Sequence, residues 1–115
     1  MGRVYHGFQL RSDGRKVVVA SFVDTGSDRT LISGRVARRL GLRTAGKEWM
    51  VTAAGHKLLA RAGKVRVVSE LDGIDSQFNV LISDIPFKAD PDENIDMIVG
   101  LDFLQTHKVR LGFGK

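Results

Sequence analysis

Apolar and polar positions alternate with a period of two over much of this chain, the pattern of strands with one face buried. Val4, Phe8 and Leu10 fall on one side of such a pattern, with His6 beside them. Ser12-Asp13-Gly14 signals a turn, and an apolar run from Val17 to Val23 follows. Residues 3–10 and 16–23 therefore predict a hairpin whose second strand is buried. The period then changes. Ser33 is placed to cap a short helix in which Val36, Ala37 and Leu40 share one face, and Gly41 suits the residue just past its end. Trp49 to Thr52 and Leu58 to Ala60 flank Ala53-Ala54-Gly55-His56-Lys57, which predicts a second hairpin with a small-residue tip. Such a tip has little packing of its own, as a lid requires. Val65 and Val67 mark a further half-buried strand, and Leu71-Asp72-Gly73-Ile74 a turn. Phe78, Val80 and Ile82 alternate with Gln77, Asn79 and Leu81 as another strand. Residues 84–94 carry both prolines and predict a loop. Met97-Ile98-Val99 is a short buried strand, Gly100 opens a short helix, and Val109, Leu111 and Phe113 alternate as a last strand. No repeat or linker interrupts this order, so residues 1–115 are expected to form one all-β domain with two short helices.

Composition narrows the chemistry. An apolar share of 43% over 115 residues suits one modest core. With no cysteine, disulfides, thiol nucleophiles and thiolate metal sites are excluded. The first residues lack the apolar stretch of a signal peptide and no run is long enough to span a membrane, so a cytoplasmic chain is expected. The net charge of +5 favours acidic partners. Its cations are scattered, however, and one Tyr and one Trp leave little for base stacking. Arg35, Arg38 and Arg39 are read as the solvated side of the helix, and nucleic acid is not expected as a partner.

Candidate chemistry concentrates in Phe22-Val23-Asp24-Thr25-Gly26-Ser27. An apolar strand delivers an acid into a tight turn that Gly26 permits, with two short hydroxyls beside it. Asp, Thr, Gly and Ser are also ordinary turn residues. Other sites fail on detail. Gly41 to Glu48 imitates a phosphate-binding loop, but Glu48 stands where a Mg²⁺-binding hydroxyl belongs and the segment follows a helix. Asp90, Asp92, Glu93 and Asp96 lack the calcium-loop spacing, since Ile95 takes the glycine position and Leu101 that of the last acid. His6, His56 and His107 are too dispersed for zinc. There is no G-x-S-x-G elbow. No metal and no cofactor is expected.

Two segments together carry a resemblance. Asp24-Thr25-Gly26-Ser27 matches the D-[TS]-G-[AS] motif, and Ile98-Val99-Gly100 the second apolar-apolar-Gly motif, of retropepsin-type aspartic proteases. Leu101-Asp102-Phe103-Leu104 resembles the G-x-[DN]-x-L start of that family's C-terminal helix. Ala37, Leu40, Gly41 and Leu42, and the hairpin over 50–60, also agree. The family includes retroviral proteases, domains of ubiquitin-shuttle proteins and small prokaryotic proteases. The resemblance implies an acid-protease barrel and an aspartic endopeptidase. It implies that Asp24 is the catalytic carboxylate, that Thr25 bonds across to its symmetry mate, and that Gly26 admits substrate backbone. Ser27 would stand beside the outer carboxylate oxygen, and Ile98 would line the substrate site. Thr52, Ala53, Ala54 and Gly55 would belong to a flap closing over substrate. Asp28 matches a substrate-contacting position whose usual Arg partner, after the second glycine, is here Leu101.

One D-[TS]-G supplies one acid, whereas aspartic proteases activate water with two carboxylates that share a proton. The second Asp24 is therefore expected from a C2 homodimer. The terminal strand, with Leu111 and Phe113, is expected at the interface, with a smaller share from Met1 to Arg3. The expected substrate is an extended peptide with apolar side chains beside the cut. A non-catalytic peptide-binding or dimerisation domain, and a basic nucleic-acid-associated domain, are the competing readings.

Overall fold

The computed structural model describes residues 5–44, 46–51, 55, 57–83 and 95–107. Strand β1 (Tyr5–Ser12) turns into β2 (Arg15–Val23) with Ser12 paired to Arg15, so the loop is Asp13-Gly14 alone. Both loop residues have positive φ, 47° and 79°, the requirement of the two-residue turn that matches strand twist. After a loop comes β3 (Leu31–Ser33), then helix α1 (Gly34–Leu40). Ser33 Oγ accepts from Val36 N, and Gly41, at φ 63°, closes the helix end. Strand β4 (Lys47–Val51) pairs with the long β5 (Lys57–Ser69), which turns into β6 (Ile74–Ser83). Strand β7 (Met97–Val99) leads through Gly100 into helix α2 (Leu101–Thr106).

Six of these strands close into a barrel. Around the ring, β1 pairs antiparallel with β2, β2 parallel with β7, and β7 antiparallel with β3. Strand β3 then pairs parallel with β6, β6 antiparallel with β5, and β5 antiparallel with β1. Strand β4 extends from β5 outside the ring. The all-β barrel with two short helices is thus the fold observed.

Phe8, Leu10, Val19, Val65, Val67, Val80, Met97 and Val99 fill the interior, each at most 3% exposed. Phe103 of α2 joins them, its ring edge-on to Phe8 at 5.4 Å and to Phe78 at 4.9 Å. Helix α2 is therefore anchored by a plug in the core. A second cluster joins Leu31, Met50, Ala60, Ala62 and Leu81, with Ile98 packed against it. It fixes the base of the β4–β5 hairpin beside the end of β7.

Three expectations are corrected. The Val17 to Val23 strand is not buried throughout: Val18 is 72% exposed, Ala20 is exposed, and only the alternate positions face the core. The segments around Leu59 and Val65 are one strand, because buried Gly63 continues the pairing opposite Val80. Leu81, expected on the outer side of its strand, is fully buried in the second cluster. The expectations for Val4, Met1 to Arg3, the 84–94 loop and the terminal strand with Leu111 and Phe113 lie outside the described residues, as does the side chain of His6.

Candidate active site

Parallel pairing of β2 with β7 sets Val23 against Val99, and Asp24 N continues the ladder by donating to Val99 O at 2.9 Å. Past that bond the chain turns: Ser27 N donates to Asp24 O at 3.1 Å. Inside the turn Gly26 N donates to Asp24 Oδ1 at 2.9 Å, a charge-assisted bond that fixes the carboxylate's orientation. Asp24 is half-buried, and Thr25 and Gly26 are exposed at the tip. The result is an aimed acid with its neighbouring backbone open to solvent.

The second motif is laced to the first. Leu101 N donates to Ser27 O at 2.9 Å and Asp102 N to Asp28 O at 3.2 Å. Gly100 N donates to Thr30 Oγ1 at 3.1 Å, and that hydroxyl donates on to Asp102 Oδ1 at 2.7 Å. Thr30 N and Arg29 Nε both reach Asp102 Oδ2, at 3.1 and 3.2 Å. A Cβ on Gly100 would lie 2.5 Å from Arg29 O and 2.9 Å from Ser27 O, so the close approach itself requires glycine. Buried Thr30 and half-buried Asp102 thus form a polar bolt between the two loops, with every buried side-chain polar atom among the described residues bonded.

The hairpin arm is tied to the same loop. Val51 N donates to Asp28 Oδ1 at 3.1 Å, so Asp28, without an Arg at position 101, holds β4 instead. Arg29 pairs with Glu48 of β4 as well as with Asp102. Burial alone would lower the Arg29 pKa, but the hydrogen bonds and charges of Glu48 and Asp102 outweigh it and raise it. Asp28, Trp49, Met50, Val51 and Lys57 line an open, largely apolar concavity alongside. Beyond it Gly55 has φ 82°, a conformation that side chains with a Cβ resist. Thr52, Ala53 and Ala54 lie outside the described residues.

The structure therefore brings Asp24, Thr25, Gly26, Ser27 and Asp28 into one loop, opposite Ile98 and the base of the hairpin. Ser27 is 3% exposed and its hydroxyl donates to Arg29 O at 2.8 Å, bracing the loop. Arg29 carries no motif in the sequence, and Glu48 stands out there only as a misfit in a phosphate loop. Their one signal is opposite charge, which has no meaning until the hairpin is folded back. Among the described residues no group of three or more His, Cys, Asp or Glu could hold a metal ion.

Known proteins share this fold. Residues 8–103 match the family model described as aspartyl protease. The chain is 34% identical over 93 residues to DNA damage-inducible protein 1 of Saccharomyces cerevisiae, covering 77% of this chain and 19% of that one. It is 28% identical over 101 residues to human Protein DDI1 homolog 2, covering 84% and 23%. The chain thus spans about a fifth of the length of these relatives. Among solved structures, the EIAV protease complexed with the inhibitor HBY-793 aligns over 96% of this chain and 92% of its own, with TM-score 0.69 at 19% identity. The retroviral protease-like domain of Ddi1 from Leishmania major aligns over 98% and 80%, with TM-score 0.55 at 21% identity. Asp24 and Gly100 both lie within the matched span, and the barrel that holds them is the retropepsin-type fold: the chain belongs to the aspartyl protease family.

Proposed function

We propose that the chain is an aspartic endopeptidase that works as a homodimer. The observation that carries this is the Asp24 turn. One carboxylate is oriented by Gly26 N at the exposed end of β2, in a chain with a single Asp-Thr-Gly. Two such turns meeting on a two-fold axis would set Asp24 against the second copy's Asp24, with each Thr25 placed to bond across. Like charges at that distance cannot both ionise, so one carboxylate would hold a proton and the other would not. The ionised Asp24 takes a proton from water, and the water oxygen attacks the peptide carbonyl carbon. The protonated Asp24 donates to the carbonyl oxygen. The tetrahedral intermediate collapses as the C–N bond breaks: the Asp24 that took the water proton passes it to the leaving amine, and the other Asp24 takes back a proton from the intermediate's hydroxyl. No metal is needed at any step.

The substrate in this reading is an extended peptide. Its backbone would lie between the turn and the β4–β5 hairpin, with residues 52–57 closing over it as a flap. Met50 and Ile98 offer it an apolar floor, and the concavity beside Asp28 and Trp49 offers room for a side chain further from the cut. Hydrolysis of an apolar peptide library at mildly acid pH, wild type beside Asp24→Asn, tests the proposal. Asn keeps the shape but cannot ionise or pass a proton, so turnover should fall by roughly 10²–10⁴-fold with the fold retained. Peptide binding without cleavage by the wild type would instead identify a binding domain.

A further inference from the structure

The barrel wall made by β2, β1, β5 and β6 carries a row of cations that only the register reveals. Arg11 stands directly opposite Lys16 on one side and opposite Arg66 on the other, and Arg66 stands opposite Gln77. The alternate residues Leu10 and Val67 are fully buried, so this row is on the outer face. Neighbouring strands lie about 4.8 Å apart, which places three cations within about 10 Å. Like charges directly opposite one another are destabilising. Arg66 is compensated by Asp75, which it grips with Nε and Nη2 at 2.6 Å each. Arg11 donates its Nε hydrogen to the neutral side chain of Gln9, and Lys16 has no polar partner among the described residues. Arg15, whose Nη1 donates to Arg39 O at 3.4 Å, adds a fourth cation to an open concavity that these residues line together with Asp13 and Gly14.

The adjacent row on the same face has different chemistry. Two residues along each strand stand Val18, Gln9, Val68 and Asp75, the last already held by Arg66, and Val18 is 72% exposed. The rows are therefore about 6.6 Å apart, the repeat from one residue to the next but one in an extended chain. We propose that this face binds an acidic polypeptide segment in extended conformation. A carboxylate would sit over Arg11 and Lys16, and an apolar side chain two positions on would cover Val18. A nucleic acid fits less well: neither row holds an aromatic side chain for a base to stack on, and the exposed Val18 beside the cations suits an apolar side chain rather than a sugar–phosphate backbone. The face lies at the opposite end of β2 from Asp24, so the inference does not depend on the protease reading.

The test is fluorescence anisotropy of a labelled peptide of alternating Glu and Val, with the full chain carrying Asp24→Asn so that hydrolysis cannot consume the probe. The same peptide with Lys for Glu, and a single-stranded oligothymidylate, are the comparison probes. The acidic peptide should bind saturably, bind more weakly as salt rises, and lose about tenfold in affinity with Arg11→Gln plus Lys16→Gln. Val18→Ser should weaken it a few-fold with the salt dependence unchanged. Arg11→Gln and Lys16→Gln relieve repulsion, and circular dichroism checks the fold of each variant; Lys16→Gln alone serves if the pair misfolds. Unchanged affinity in the variants, no binding at low salt, or tighter oligothymidylate binding lost in the same variants would overturn the proposal.

Discussion

Asp102 shows how a single side chain can tie two loops together. Its two oxygens collect Thr30 N, Thr30 Oγ1, Arg29 Nε and Phe103 N. Asp102→Ala strands the Thr30 donors in a buried place, where an unmet partner costs about 1–3 kcal/mol. Chemical denaturation should read that loss, and Asp102→Asn should recover part of it. Gly100→Ala should cost about 1–3 kcal/mol for a different reason, because its methyl meets Arg29 and Ser27 backbone that neither loop can move. A third residue carries a pH dependence. Burial pushes the Asp96 carboxyl up, but hydrogen bonds from Arg35 and Ser33, with the Arg35 charge, outweigh this and hold it below its ordinary 3.8. A depressed folded value means stabilisation that is full above the ordinary value and lost as pH falls through the folded one. Arg35→Ala should therefore lower the melting temperature at neutral pH, and its gap from wild type should close as pH drops below the ordinary carboxylate value. A gap that is constant with pH would contradict the pairing of Arg35 Nε and Nη2 with Asp96.

At the scale of elements, the β4–β5 hairpin is the part whose position should govern turnover. It is held at its base by packing of Met50 in the second cluster, by Val51 N on Asp28, and by Glu48 on Arg29. Glu48→Ala should loosen the arm and change KM and kcat together, with thermal stability altered by less than about 1 kcal/mol because Glu48 is half exposed. Gly55→Val should cut turnover more than stability, since Gly55 at φ 82° is exposed and contributes no packing of its own. Normal peptide turnover by Gly55→Val would rule out 52–57 as a working flap. These elements also mark what the sequence made legible. The Asp13-Gly14 turn, the Ser33 cap and the Gly41 stop are local chemistry, readable within a few residues. The Asp24 and Ile98 motifs were readable because each pairs an apolar strand with a specific turn. What stayed hidden depended on which strands become neighbours. Val18 in an apolar run, Leu81 in an alternating one, and the ties from Arg29 and Asp28 to β4 follow from barrel closure and hairpin placement, which no window of sequence contains.

For the whole molecule, the barrel provides one oriented acid at the exposed end of β2, and the proposed chemistry requires two. Phe103 in the core couples that end to α2, so Phe103→Ala should destabilise the fold by about 3–5 kcal/mol and remove activity with it, as an unfolding transition will show. Asp24→Asn should leave that transition in place. Mixing the two chains separates a dimeric site from a monomeric one. In the most direct test, peptide hydrolysis is followed as Asp24→Asn chain is added to a fixed amount of wild type under conditions where subunits exchange. If each active site needs Asp24 from both copies, activity per wild-type chain should fall to about half at equal amounts, because a wild-type chain then meets a wild-type partner half the time. With excess variant it should approach zero. Activity per wild-type chain that stays constant throughout the titration would contradict a site built from two copies of Asp24.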